Sequence, residues 1–175
     1  MHLEIERKFL VAGEGWRERA TGRRALRDGL VSQGSNGKVR VRLDGERAWL
    51  TVKGARSGIS RTEFEYEIPV ADAEHMLAHV CSGSVIEKTR FLVPHAGQAW
   101  EVDVFQGRLE GLVWAEVELQ SETQTVTLPP WAGREVTGDP RFRHANLLML
   151  CAHDPQRTGL ADLLQEAGER RLRAS

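Results

Sequence analysis

The sequence predicts an α+β protein, mainly β: eight antiparallel strands closed into a charged barrel, with helices packed on the outside. Three observations carry this. Short segments alternate charged and apolar residues at a period of two, which puts the two kinds on opposite faces of a strand. Six of these segments carry two charges of one sign at i and i+2. Three amphipathic segments, at 72–80, 141–151 and 159–173, can cover an apolar outer wall. Eight strands are enough to close a barrel.

The first strand, about residues 3–11, opens on Glu4-Ile5-Glu6-Arg7-Lys8, so Glu4, Glu6 and Lys8 share a face opposite Ile5 and Phe9. After a turn or short helical segment at 13–20 comes a poorly patterned second strand at 23–33. Gly34-Ser35-Asn36-Gly37 is a hairpin signal, because Asn-Gly supplies the positive φ of a tight reversal. Lys38 follows it, but the glycine spacing and Lys-Ser/Thr pair of a nucleotide-binding P-loop are absent. Val39–Leu43 sets Arg40 and Arg42 on one face, and Asp44-Gly45 turns the chain into a fourth strand at 48–53. Residues 61–68 place Glu63, Glu65 and Glu67 opposite Phe64, Tyr66 and Ile68, and Pro69 ends that strand.

Asp72 is placed to N-cap a helix running to about Val80, with Ala73, Met76, Leu77 and Val80 as its apolar stripe. His75 and His79 stand four apart on it. No glutamate follows the first histidine and no third ligand is in view, which argues against a zinc site. Strands at 85–91 and 100–105 form a hairpin around His95-Ala96-Gly97, and an eighth strand spans 113–119. Residues 128–140 read as turns. The tail presents Leu160, Leu163 and Leu164 at helical spacing, either to pack on the outer wall or to mediate self-association as a homodimer. The expected organisation is therefore a barrel domain at 1–152 and a helical extension at 153–175.

The like-charged pairs are Glu4/Glu6, Arg40/Arg42, Glu63/Glu65, Lys88/Arg90, Glu101/Asp103 and Glu116/Glu118. A solvated sheet face also alternates, but it mixes Thr, Ser, Lys and Glu. Like charges on adjacent same-face positions destabilise by roughly 0.2–1 kcal/mol per pair. Six repetitions point to a ligand and counter-ions inside the barrel. Clustered Arg and Lys suit phosphate oxygens, and clustered carboxylates suit magnesium or manganese rather than zinc. A phosphate chain with divalent ions satisfies both sets.

Overall charge is balanced, with 24 Lys plus Arg against 25 Asp plus Glu, so no basic field advertises nucleic acid. No apolar run is long enough for a membrane span, and no secretory segment opens the chain. Cys81 and Cys151 are too few and too far apart for a zinc site, and they read as reduced thiols of a cytoplasmic protein.

Glu4-Ile5-Glu6-Arg7-Lys8 resembles the ExExK signature of the CYTH superfamily, the triphosphate tunnel metalloenzymes. The resemblance continues in order through Val39–Arg42, Thr51–Lys53, Glu63–Glu67, Ile86–Arg90, Trp100–Asp103 and Ala115–Leu119, over roughly residues 1–150. It is greatest to the short bacterial inorganic tripolyphosphatases. It implies an eight-stranded tunnel that hydrolyses tripolyphosphate using magnesium or manganese; whether nucleoside triphosphates are also substrates is left open by it. By position, Lys8, Arg40, Arg42, Lys53 and Arg90 would grip the phosphates. Glu4, Glu6 and Glu116 would hold a first metal, and Asp103 and Glu118 a second, beside the attacking water. Glu63 and Glu65 would orient bases or take that water's proton, and Lys88 would act in catalysis. Where such relatives carry a tyrosine paired with this lysine, the chain has Asp28-Gly29-Leu30. Where they carry an aromatic pair, it has Phe142-Arg143-His144, followed by Asn146. The alternative reading is a phosphate-binding module with weak turnover. An adenylate cyclase would need an adenine pocket that no segment identifies.

Overall fold

The structure, a computed structural model, describes residues 2–83, 85–144 and 146–147. Among these residues the chain forms nine strands, an α-helix and the start of a further helix at 144–147. The strands are β1 (Leu3–Val11), β2 (Gly22–Gly34), β3 (Gly37–Asp44), β4 (Arg47–Gly54), β5 (Ser60–Ile68), β6 (Ile86–His95), β7 (Gln98–Phe105), β8 (Val113–Glu118) and β9 (Ala132–Glu135). The sheet order is β5-β4-β3-β2-β6-β7-β8-β1-β9, all neighbours are antiparallel, and a further pairing of β5 with β1 closes an eight-stranded ring.

The closing seam is short, with Leu3, Glu4 and Ile5 facing Thr62, Arg61 and Ser60. Beyond it β5 leaves β1, and β9 takes the vacated edge, pairing Phe9 with Glu135 and Val11 with Ala132. β9 lies within the stretch read as turns. Its four residues, Ala-Gly-Arg-Glu, are too few to show alternation, and it exists because the edge of β1 needs partners. Glycine permits the approach, since a Cβ at Gly133 would stand 2.8 Å from the Leu10 carbonyl oxygen.

The helix α1 (Val70–His79) starts one turn earlier than expected. Pro69 occupies the N-cap position and Asp72 lies in the first turn, where its charge favours the positive helix end without capping it. α1 packs Ala73 and Leu77 onto Val41, Leu43 and Ala48 on the outer wall. Gly29 lets its far end approach β2, because a Cβ there would fall 2.6 Å from Cys81 Sγ. Only the start of the segment expected to be helical at 141–151 is described; it begins as a 3-10 turn at Pro140–Phe142. The amphipathic segment at 159–173 lies outside the described residues.

The barrel is apolar outside and charged inside. A second outer layer joins Ile5, Phe9, Val102, Ala115 and Val117 to Trp16, Trp100 and Trp131, so the loops at 12–21 and 126–132 cover that wall. Inside, the strand ends that carry Leu10, Leu30, Ile86, Phe105 and Trp114 meet at one end of the ring. Leu109, Leu112, Val136, Phe142 and Leu147 complete an apolar stopper there. The charged part of the lumen therefore has a hydrophobic floor.

Candidate active site

Directly opposed residues of antiparallel strands share a face, so the register fixes what points inward. Lys8 faces Glu116, which faces Glu101. Arg90 faces both Asp103 and Arg24, Asp28 faces Arg42, and Lys53 faces both Lys38 and Glu63. Except for the fully buried Asp28 and Asp103, these side chains line a cavity of about 690 Å³. Of the candidates named from the sequence, Glu4, Glu6, Lys8, Arg40, Arg42, Lys53, Glu63, Glu65, Lys88, Arg90, Glu116 and Glu118 line it. Asp103 lies fully buried behind Lys88 and Arg90.

Three ion-pair clusters build the wall. On β1, β4 and β5, Lys53 Nζ donates to Glu4 Oε1 and Glu63 Oε2, both at 2.7 Å, and Arg61 donates to Glu4. Arg56 Nη2, from the β4–β5 loop, donates to Glu6 at 2.5 Å. On β6, β7 and β8, Arg90 spans Asp103 at 2.7 and 2.8 Å, Glu116 at 2.8 Å, and Glu101. Lys8 Nζ reaches Glu116 at 2.9 Å and lies 3.9 Å from the Trp114 ring centroid, a cation–π contact. On β2 and β3, Arg42 forks onto Asp28 at 2.7 and 2.9 Å.

Two buried aspartates tie these clusters together. Asp103 accepts Lys88 Nζ at 2.5 Å, Trp114 Nε1 at 3.1 Å and both guanidinium bonds of Arg90. Asp28 Oδ2 stands 3.7 Å from Lys88 Nζ and 3.5 Å from His144 Nε2. Burial would raise the Asp28 carboxyl, but Arg42, Arg40, His144 and Lys88 outweigh it and hold it well below the usual carboxylate range. Burial pushes the Lys88 ammonium down to about 8, against the opposing pull of Asp103. Burial also pushes the His144 imidazole well below its ordinary value, against the opposing pull of Asp28.

The acids divide by environment. Burial would raise Glu4 too, but Lys53 and Arg61 hold it below the ordinary range. Glu63 is raised, by burial and by its shared contact with Glu4. Glu118 is raised by burial and then by Glu101, Glu4, Glu6 and Glu116, so this part of the wall is acid-rich. Among the described residues no three acidic or imidazole groups form a ready-made metal cage. The carboxylates on this wall are oxygen donors of the kind that hard divalent cations take.

Leu30, where the resemblance implies a tyrosine, lies in the apolar floor with Ile86, Phe105 and Phe142. Lys88 is oriented by Asp103 and Asp28 instead. Sequence reasoning missed Asp28, Arg61, Arg56, Lys38 and His144, which all contact or line the site. Arg61 and Lys38 were within reach of it, since each extends an alternating face by one step, before Glu63 and before Arg40.

The CYTH domain family matches residues 2–143. The chain is 47% identical over 148 residues to an inorganic triphosphatase of Acetivibrio thermocellus, covering 85% of this chain and 94% of that protein. It is 38% identical over 151 residues to an inorganic triphosphatase of Nitrosomonas europaea, covering 83% and 97%. A crystal structure of an inorganic triphosphatase superposes with a TM-score of 0.59 at 36% identity, over 83% of this chain and 94% of the other. With an inward-facing charge lattice of this kind and relatives aligned over most of its length, the chain belongs to the CYTH domain family.

Proposed function

We propose that the protein is a divalent-metal-dependent triphosphatase that hydrolyses inorganic tripolyphosphate inside the barrel. The observation that carries this reading is the convergence of Lys8, Arg40, Arg42, Lys53, Lys88 and Arg90 with an acid-rich wall around one cavity. The naming of two well-covered relatives as inorganic triphosphatases supports it.

Each basic side chain now held by a carboxylate can turn to a phosphate oxygen, because both partners accept charge-assisted hydrogen bonds of similar geometry. Lys8, Arg40, Arg42, Lys53 and Arg90 bind the chain and stabilise charge on the leaving diphosphate. Lys88, fixed by two aspartates, positions a phosphate from beneath. Glu4, Glu6, Glu116 and Glu118 are the carboxylates that would hold magnesium or manganese, and Asp103 would reach a metal only by giving up donors. A bound divalent ion would supply charge neutralisation and a more acidic water. Glu63, with its raised carboxyl and its bond to Lys53, is the residue placed to take a proton, with Glu65 beside Thr51 at 3.0 Å. The barrel domain of residues 1–152, a cytoplasmic setting and a homodimer belong to the same reading. No helix of the described residues is long and apolar enough to cross a membrane.

Phosphate release from tripolyphosphate with magnesium or manganese, measured beside a Glu4→Ala/Glu6→Ala variant, tests the reading. Release by the wild type alone supports it; tight binding with no release above the variant favours a binding module. Arg40 gives a sharper prediction about affinity. Its strongest partner is Thr51 Oγ1 at 3.1 Å, and the nearest carboxylate, Glu65, is 3.7 Å away, so it is the strand arginine most available to a ligand. Arg40→Ala is expected to weaken tripolyphosphate binding by about 1.5–3 kcal/mol, the worth of a charge-assisted hydrogen bond. An unchanged dissociation constant would remove Arg40 from the site.

A further inference from the structure

Among the described residues, every Lys or Arg on the inner strand faces has a carboxylate within 4 Å, except Lys38. Lys38 begins the inward series Lys38–Arg40–Arg42 on β3, is half-buried and lines the cavity. Its place is fixed closely: the preceding Gly37 lies so near β4 that a Cβ there would be 2.2 Å from the Lys53 carbonyl oxygen. The charged groups around it are Arg40 on its own strand, Lys53 opposite on β4, Arg61 on β5 and Lys8 on β1. His144 faces it from the segment after β9. On the β2 side it pairs with the uncharged Gln33. A lysine so placed meets positive charge from three other strands, and among the described residues no carboxylate ion-pairs with it; Glu4 and Glu63, the acids on β1 and β5 near it, are engaged by Lys53.

We propose that Lys38 is a further ligand for the phosphate chain, and that binding of a polyphosphate is coupled to uptake of a proton from solvent at its amine. The proposal rests on the triphosphatase reading. In the ligand-free cavity, burial and then Arg61, Lys53, Arg40 and Lys8 push the Lys38 ammonium down to about 7. A bound anion reverses the balance: the nitrogen lone pair takes a proton from water or buffer, and the resulting ammonium donates to phosphate. The bound-state amine is then more basic than the free one. Affinity from this group is therefore fully present below about pH 7 and lost as pH rises through the bound-state value.

Calorimetric titration with a methylene-bridged tripolyphosphate analogue, which cannot be hydrolysed, tests this in magnesium at pH 8 in two buffers of different ionisation heat. The wild type is expected to take up close to one proton per site more than Lys38→Arg, whose guanidinium is always charged. Lys38→Met is expected to lose the same increment and to bind about tenfold or more weakly at pH 6.5. Lys38→Arg should retain affinity and show a flatter dependence on pH, which a merely structural role would not produce. Should Lys38→Met lose the wild-type circular dichroism spectrum, Lys38→Arg decides alone. Equal proton uptake by wild type and Lys38→Arg, with the wild type releasing phosphate from tripolyphosphate, overturns this inference only. A wild type that neither binds the analogue nor releases phosphate overturns the functional reading and this inference together.

Discussion

Replacing Arg90 with alanine is expected to abolish tripolyphosphate hydrolysis and to lower stability by about 3–5 kcal/mol, the usual cost of breaking a buried ion pair from one side. Arg90 alone touches Glu101, Asp103 and Glu116, acids from both β7 and β8. These acids raise its guanidinium well above the ordinary arginine value, even though burial works the other way. Without it, Asp103 keeps Lys88 and Glu116 keeps Lys8, but the charge that separates the two carboxylates is gone. Arg90→Lys would restore a point charge but not the two-pronged contact with Asp103. Its stability should fall between the other two, with turnover still impaired. Urea midpoints and phosphate release measure both effects; a wild-type midpoint in Arg90→Ala would show that the β7–β8 wall does not depend on this cation.

Asp28→Asn is expected to cost a similar amount, about 3 kcal/mol or more, without touching any residue assigned to a metal. The amide keeps the shape but removes the charge that holds Arg42 and stands beside Lys88, and Asp28 is fully buried. The pH dependence follows from its depressed carboxyl. Stability from Asp28 is present above the unfolded value of about 4 and lost as pH falls through the lower folded value. Wild type and Asp28→Asn should therefore converge in stability as pH falls through the acid range and differ fully near neutrality. A constant difference at every pH would assign the loss to packing rather than charge.

The inner wall was legible because a strand's period of two converts spacing into direction. Once Glu4/Glu6 or Arg40/Arg42 is seen, the face they share is settled, and six such segments among eight predicted strands need little else to suggest a ring. Asp28 was hidden because β2 mixes Leu26, Asp28 and Leu30 on its inner face, where a charged lumen gives way to an apolar floor. The same transition explains why Leu30 faces inward yet packs with Phe105 and Phe142. Arg56 and His144 come from connecting segments, and their meetings with Glu6 and Asp28 are tertiary events without local pattern. β9 has no signal of its own, since a gap beside β1 creates it.

The most direct test of the central claim follows the phosphorus nuclei of tripolyphosphate by NMR, with wild-type protein and magnesium or manganese. Hydrolysis in the cavity predicts equal appearance of phosphate and diphosphate, stopped by a chelator and absent in Glu4→Ala/Glu6→Ala. Tripolyphosphate that binds but persists intact with either metal, or products that form equally fast in the double variant, would contradict it.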